Sequence, residues 1–150
     1  MPQSLAKVYV HAVFSTKGRE PVLADPWRDE LFHVLGGTAN QNGCQSLIVG
    51  GVADHVHMLF QLSRTITIAD ALKSIKVSSS AWVNQSRGLP VQFQWQAGYA
   101  VFSVSQSQVE VVREYIRRQP EHHATKSFQD ELREWLRRYG IEWDERYVWD

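Results

Sequence analysis

The chain has 150 residues, 43% of them hydrophobic, and its six Trp, five Tyr and six Phe supply enough apolar surface for one packed domain, which excludes disordered and collagen-like architectures. Its 16 basic and 16 acidic residues give a net charge of zero, which excludes a protein held to nucleic acid by bulk charge alone. The single cysteine, Cys44, excludes a disulfide framework and a thiolate zinc site. No apolar run approaches the roughly 20 residues of a membrane span, so we expect a cytoplasmic protein without a membrane partner.

The first half of the chain predicts a strand, a helix and a hairpin. Leu5 to Phe14 alternates along its length as a strand does. Apolar residues then recur at helical spacing between Pro26 and Gly43, which predicts the first helix. Two further β-like runs, 45–52 and 55–62, are separated by Gly and Asp residues and predict an antiparallel hairpin.

The second half predicts one more strand and three helices. A capping pattern at Thr67 opens the second helix, and Tyr99 to Val104 reads as the fourth strand. Ser107, with a glutamate three residues on, predicts a third helix from about Gln108 to Gln119, where Pro120 opposes continuation. A last amphipathic helix begins near Phe128 and stops at Gly140.

The resulting order of elements is β-α-β-β-α-β followed by two helices. That order is the ferredoxin-like, or RRM-like, split βαβ motif. We therefore expect an α+β fold with an antiparallel sheet, helices on one face, an extra C-terminal helix, and the other face free for a ligand.

The segment His55-Val56-His57 is the first chemical signal. Successive side chains of a strand alternate, so the two imidazoles project from one face about 7 Å apart and can share a metal ion, while Val56 points into the core. A hydrogen-bonded or surface pair is the alternative interpretation. A metal site needs a third ligand.

Tyr115 and Gln119 are the second signal, because they lie one turn apart on the predicted third helix. A tyrosine in this position is either a packing residue or a nucleophile. Two imidazoles and an amide oxygen form a mixed N/O site suited to Mg²⁺, Mn²⁺ or Zn²⁺, which polarises a phosphate. Tyr115 is then placed to attack the phosphorus as a phenolate and form a covalent intermediate.

A series of segments in a fixed order carries a family resemblance. They are Val10–Arg19 with its basic turn, Asp54–Leu59, Leu72–Ser79, Trp95–Tyr99, and Tyr115–Gln119 followed by His122 and His123. In this order they resemble the single-tyrosine HUH transposases of small bacterial insertion sequences, the Y1 transposase family. The likeness extends to about His123. We therefore expect one HUH transposase domain over 1–150, with a core at about 5–123 and a C-terminal helix and tail at about 124–150.

The resemblance implies a chemistry and a set of partners. Family members cut and rejoin single-stranded DNA at hairpin-bearing element ends through a 5′-phosphotyrosine, use a divalent ion (Mg²⁺ or Mn²⁺), and work as homodimers. Residue by residue, Tyr115 takes the role of the nucleophile. The metal ligands are then His55, His57 and Gln119. The acidic, Trp-rich tail after Phe128 matches no motif of the family, so its role is open.

Several further residues are assigned to nucleic-acid binding. They are His11, Lys17, Arg19, Lys73, Lys76, Arg117 and Arg118. A solvated surface position is the competing interpretation for each, and it is favoured for His11. His122 and His123 follow a helix end, where capping competes with substrate contact.

Two other functions stay open from the sequence. A noncatalytic RRM-like module shares the sheet order, but it would place base-stacking aromatics on the strand where this chain has His55 and His57. A metal-dependent phosphodiesterase would use water in place of Tyr115, and trapping of a protein–DNA adduct separates it from a transposase.

Overall fold

The computed structural model describes residues 2–150, which form one four-stranded sheet and five α-helices. The strands are β1 (Val8–Ser15), β2 (Gln45–Gly51), β3 (His55–Leu62) and β4 (Ala100–Val104). The helices are α1 (Asp25–Gln41), α2 (Ile68–Ser86), α3 (Val109–Arg117), α4 (Gln119–His122) and α5 (Phe128–Arg138). The strand order is β2-β3-β1-β4 with antiparallel neighbours, which confirms the predicted α+β class and split βαβ order. None of these helices is long and apolar enough to cross a membrane.

The first face of the sheet, defined here as the face that packs on α1 and α2, is an apolar core. Alternate residues of β1 and β3 supply it: Val10, Ala12, Phe14, Val56, Met58 and Phe60. Helix α1 adds Leu31 and Leu35, and α2 adds Leu72 and Ile75, all essentially fully buried. Each such side chain contributes about 1.5–3 kcal/mol relative to exposure, so this face holds the fold together.

The second face, predicted to be free for a ligand, is covered by α3 and α5. Both helices carry an apolar stripe at helical spacing, and such a stripe is buried when it packs on a sheet. The α3 stripe, Val109, Val112 and Ile116, packs on Tyr9, Leu59 and Val104. The α5 stripe, Phe128, Leu132, Trp135 and Leu136, packs on Val13 and Phe102. The second face is therefore an interior layer of the protein.

The predicted third helix is interrupted. It was expected to run to Gln119, but α3 ends at Arg117 and Gln119 begins the short α4. Pro120 explains the break, because its ring would collide with the carbonyl of Ile116 in a continuous helix. The predicted cap at Ser107 is also wrong: residues 106–108 form a 3-10 turn, and α3 has no side-chain cap.

Candidate metal and nucleophile site

Strand β3 places two histidines on the second face of the sheet. His55 and His57 alternate with Val56, whose side chain lies in the apolar core of the first face. Both imidazoles are fully buried. The Nδ1 of His55 lies 2.7 Å from Oδ1 of Asp54, at the start of the strand, so its Nε2 faces the helices that cover this face. The predicted pair is therefore an interior pair.

His11 of β1 lies beside this pair and is fully buried, which corrects the surface position favoured from the sequence. The strand register pairs His11 with Leu59, two residues beyond His57, so the two histidines are diagonal neighbours. Their rings meet through His11 Nε2 and His57 Nδ1, 2.8 Å apart. Burial, reinforced by His57, lowers the pKa of His11 well below its ordinary value. His11 is thus a neutral support for His57, and its burial leaves no surface for DNA.

Helix α3 brings Tyr115 to the same place. Gly50 of β2 permits a close approach, because a Cβ at this position would lie 2.6 Å from the carbonyl oxygen of Ile116. The ring centroid of Tyr115 lies 5.8 Å from that of His57. Its hydroxyl donates a hydrogen bond to Glu131. The side chain is half-buried, and its hydroxyl lies within a group of polar side chains, called the cluster below, that consists of His55, His57, Tyr115, Gln119, His123 and Glu131.

The break after α3 directs two more side chains into the cluster. Gln119 is fully buried, and its Oε1 lies 3.2 Å from Nε2 of His55. His123 follows α4, and its main-chain N–H donates to the carbonyl of Gln119 at 3.0 Å. The Nδ1 of His123 lies 2.6 Å from the carbonyl oxygen of Lys126, which makes Nδ1 the donor and leaves Nε2 to face the cluster.

Glu131 of α5 lies at the centre of the cluster and is 2% exposed. Its Oε1 lies near three imidazole Nε2 atoms, at 3.0 Å from that of His57, 3.0 Å from that of His123 and 3.3 Å from that of His55. Its Oε2 accepts hydrogen bonds from the Tyr115 hydroxyl and, at 2.9 Å, from the Gln119 amide. One carboxylate therefore contacts each of the residues that the sequence assigned to the site.

The electrostatics follow from burial and from this carboxylate. Burial alone would raise the pKa of Glu131, but the contacts with His57, His123 and His55 hold that pKa far below its ordinary range. Burial and the charge of Glu131 raise the pKa of Tyr115, and burial lowers that of His57. Glu131 is thus ionised and Tyr115 is a neutral phenol in this arrangement.

The donor set fits a divalent metal ion. His55, His57, His123 and Glu131 each offer one ligand atom, and these atoms lie within 4.8 Å of one another. Imidazole nitrogen and carboxylate oxygen are donors that Zn²⁺ and Mn²⁺ accept. The predicted third ligand, Gln119, borders the same group.

The two lysines assigned to DNA on α2 belong to the helix that packs on the first face of the sheet. Lys73 is exposed. Lys76 donates to three main-chain carbonyls, those of Gln96 at 2.9 Å, Ala97 at 3.3 Å and Gly98 at 2.5 Å. Three acceptors occupy its ammonium group, so Lys76 fixes the segment before β4 and is not a free phosphate contact.

The other basic residues lie closer to the second face. Lys17 is exposed in a 3-10 turn after β1, and the guanidinium of Arg19 lies 5.8 Å from the Trp149 ring centroid. Arg117 and Arg118 are exposed at the end of α3 and pair with Glu114 and Glu121, respectively. Surface pairs of this kind are worth little, so phosphates can compete for these arginines.

Two residues of the cluster were not assigned to it from the sequence. His123 was interpreted as a cap or a substrate contact, and the helix carrying Glu131 had no assigned role. The signal for Glu131 was present: it lies among the apolar stripe of α5, where every other member is hydrophobic. A carboxylate on such a stripe indicates a buried partner.

Comparisons with known proteins identify the family and the fold of the chain. Residues 4–119 match the family described as IS200-like transposases. The ISDra2 transposase TnpA of Deinococcus radiodurans is 27% identical over 114 residues, 73% of this chain and 81% of that protein. A solved structure from D. radiodurans R1, described as a transposase, has a TM-score of 0.63 and 27% identity, covering 79% of this chain and 98% of that chain. The structure of a REP-associated tyrosine transposase bound to a REP hairpin shares the fold, with a TM-score of 0.60, 14% identity, and coverage of 82% and 73% of the two chains.

The family match contains the residues that the resemblance assigns to the nucleophile and the metal. It includes His55, His57, Tyr115 and, as its last residue, Gln119, whereas His123 and Glu131 lie beyond it. The match covers well over half of the chain and confirms the resemblance. The chain belongs to the family of IS200-like transposases.

Proposed function

We propose that this transposase cleaves and rejoins single-stranded DNA at hairpin-bearing element ends through a covalent 5′-phosphate on Tyr115. The supporting observation is that the Tyr115 hydroxyl, the two β3 histidines and Gln119 belong to one buried hydrogen-bonded cluster. The histidines are fully buried, whereas Tyr115 is half-buried. Membership of the family supplies the transposase activity that this chemistry would perform.

The proposed reaction is a transesterification. The Tyr115 oxygen forms a bond to phosphorus, the bond from phosphorus to the 3′-oxygen breaks, and the 3′-oxygen leaves with a proton as a free hydroxyl. A divalent ion, Mg²⁺ or Mn²⁺, held by His55, His57 and Gln119 would supply the positive charge that polarises the scissile phosphate. The phosphotyrosine retains the energy of the broken ester, so attack by another 3′-hydroxyl rejoins the strand.

The nucleophile is in a resting form in this structure. The hydrogen bond to Glu131 and the raised pKa of Tyr115 keep the phenol protonated. Attack therefore requires that this hydrogen bond is released or that the carboxylate charge is neutralised. Both changes lower the pKa of Tyr115 toward its ordinary value.

The partners follow from the same proposal. The relative solved with a REP hairpin supports hairpin DNA as the ligand, and the exposed Lys17, Lys73, Arg117 and Arg118 are proposed phosphate contacts. We also propose one HUH domain over 1–150, a cytoplasmic location and a homodimer, because transposition processes two ends. The ring centroids of Tyr115 and His57 are 5.8 Å apart within one chain, which supports cleavage by the tyrosine of the same chain.

The alternatives are less well supported. An RRM-like module stacks bases on its open sheet face. Here α3 and α5 cover that face. A phosphodiesterase that uses water as its nucleophile does not need Tyr115. It would cleave DNA without forming a covalent protein–DNA adduct.

Covalent trapping tests the proposal. A pool of labelled single-stranded hairpin oligonucleotides with randomised flanks is incubated with the protein and Mn²⁺, then resolved on a denaturing gel. We expect a shifted covalent band for the wild type and for Tyr147→Phe, which changes an exposed tyrosine outside the site. Tyr115→Phe should show no such band while it retains its fold by circular dichroism. Cleavage without any adduct, or an undiminished adduct in Tyr115→Phe, would contradict the assignment.

A further inference from the structure

We propose that His123 and Glu131 are metal ligands, so that the segment after the family match completes the metal centre begun by His55 and His57. The inference rests on the proposed metal-dependent function and extends it. It assigns a role to Glu131 in the tail after Phe128, for which the family resemblance offers none, and to His123, which the resemblance includes without a role. It also changes the donor set from two imidazoles and an amide to three imidazoles and a carboxylate, with the Gln119 amide oxygen as a fifth donor.

The first observation is how the histidines are oriented from outside the cluster. His55 Nδ1 lies 2.7 Å from the Asp54 carboxylate, and His123 Nδ1 lies 2.6 Å from the carbonyl oxygen of Lys126. Metal-binding histidines commonly donate their second N–H to such an oxygen, which fixes the tautomer and aims the other nitrogen at the ion. Both rings therefore present Nε2 to the same point.

The second observation is that a single atom occupies that point. Oε1 of Glu131 lies 3.0–3.3 Å from the Nε2 atoms of three histidines, His55, His57 and His123. Three imidazole nitrogens that converge on one buried position form a site for a cation. The carboxylate to which this oxygen belongs carries the negative charge that a dication needs in a buried setting, and Oε1 would move aside to bind the ion as a ligand.

The third observation concerns His123 itself. Among residues 2–150 its buried Nε2 has no hydrogen-bond partner, although Oε1 of Glu131 is only 3.0 Å away, because the direction of approach is unsuitable. Its side chain is 8% exposed, so water is largely excluded. Buried ring nitrogens are normally satisfied, and a metal ion along the lone-pair direction would satisfy this one.

The surroundings of Glu131 hold the carboxylate in place. The Gln119 amide donates to its Oε2 at 2.9 Å, and the flanking Leu132 and Trp135 are buried against the sheet. Ser127 caps the N-terminus of the helix, because its hydroxyl accepts from the Asp130 main-chain N–H at 3.2 Å. Packing of α5 and the hydrogen bond from Gln119 therefore position the Glu131 carboxylate before an ion binds.

Calorimetric titration with Mn²⁺ tests the two ligands one at a time. His123→Ala and Glu131→Gln should each weaken Mn²⁺ binding at least about tenfold, because loss of even an outer partner of a metal ligand has that effect. The matched controls are His33→Ala on α1 and Glu134→Gln on α5, both exposed, and both should bind as the wild type does. A Kd equal to that of the wild type removes the residue from the ligand set. Tighter binding by Glu131→Gln would show that the carboxylate competes with the ion, which overturns its role as a ligand.

A measurement on the wild-type protein tests the same inference without variants that could misfold. Long-range ¹H–¹⁵N spectra of the histidine rings during titration with Zn²⁺ report each Nε2 separately. We expect the Nε2 signals of three histidines, His123 included, to shift together at one equivalent of Zn²⁺, while that of His33 stays. Shifts confined to His55 and His57 would overturn the inference but leave the proposed function intact, because the Tyr115 adduct assay does not depend on which residues complete the centre.

Discussion

Both faces of the sheet are buried, but they are built from different chemistry. Strand β3 contributes to both, with Val56, Met58 and Phe60 on the first face and His55 and His57 on the second. The first face packs on α1 and α2 through apolar side chains, whereas the second encloses an ionised carboxylate among histidines. One alternating strand thus separates the groups that stabilise the protein from those that would perform its chemistry.

The two faces also differ in what holds them in register. Apolar packing tolerates small shifts, because it has no preferred direction. A buried polar cluster loses its hydrogen bonds when its members move, and each unsatisfied group costs about 1–3 kcal/mol. The second face therefore depends on the exact seating of α3, α4 and α5, and the first face depends mainly on volume.

The largest expected effect on stability comes from the first face. Phe60 is fully buried in the apolar core, and Phe60→Ala should lower the free energy of unfolding by about 3–5 kcal/mol. Urea unfolding followed by circular dichroism measures this loss. Because Phe60 points away from the histidines, Mn²⁺ affinity should be unchanged wherever the variant is fully folded.

The control for Phe60→Ala is Val77→Ala on α2, where the side chain is exposed and the change should stay within about 0.5 kcal/mol. A weakened Mn²⁺ affinity in folded Phe60→Ala would show that the two faces are coupled and not independent.

An intermediate effect on stability, with a larger one on activity, is expected where α3 meets the sheet. In Gly50→Ala the new methyl group would lie 2.6 Å from the carbonyl oxygen of Ile116, so α3 must move. Overpacking of this kind costs about 1–3 kcal/mol. Displacing Tyr115 by about 1 Å should slow formation of the DNA adduct by about a hundredfold.

The matched control for this variant is on α1, which packs on the opposite side of β2 from α3. In Gly36→Ala of α1 the added carbon meets the Ser46 hydroxyl at 2.9 Å, and that hydroxyl can rotate away. The rate of adduct formation, measured with folded protein, should be normal for Gly36→Ala and reduced for Gly50→Ala. Equal rates would mean that the position of Tyr115 does not depend on this contact.

Local patterns predicted the elements well, because alternation and helical spacing are properties of short segments. Strand β3 was predicted with the bounds observed, His55–Leu62. Strand β1 was predicted to begin at Leu5 but begins at Val8, since Val8 pairs with Leu62 at the end of β3 and the earlier residues have no partner strand. Strand pairing therefore determines where β1 begins, which the periodicity of the sequence alone does not.

Only part of the candidate site could be predicted from the sequence, for a related reason. The spacing of His55 with His57 is local, and so is that of Tyr115 with Gln119. By contrast, His11 and His57 are 46 residues apart, and His57 and Glu131 are 74 apart. The first contact arises from the pairing of β1 with β3, and the second from the packing of α5 on the second face. No rule of local spacing expresses either.

The smallest expected effect is a gain in stability on the first-face side. Gly37 lies within α1, and a Cβ added there would meet no atom within 4 Å. Gly37→Ala should therefore stabilise the protein by about 0.5–1 kcal/mol, because alanine restricts the unfolded chain and favours the helix. Urea unfolding should show a higher midpoint with an unchanged slope, and neither Mn²⁺ affinity nor adduct formation should change, since α1 does not reach the second face. Gly36→Ala is the comparison, and it should gain less because Ser46 must move. An equal gain at both positions would show that the contact of α1 with β2 is looser than the structure indicates.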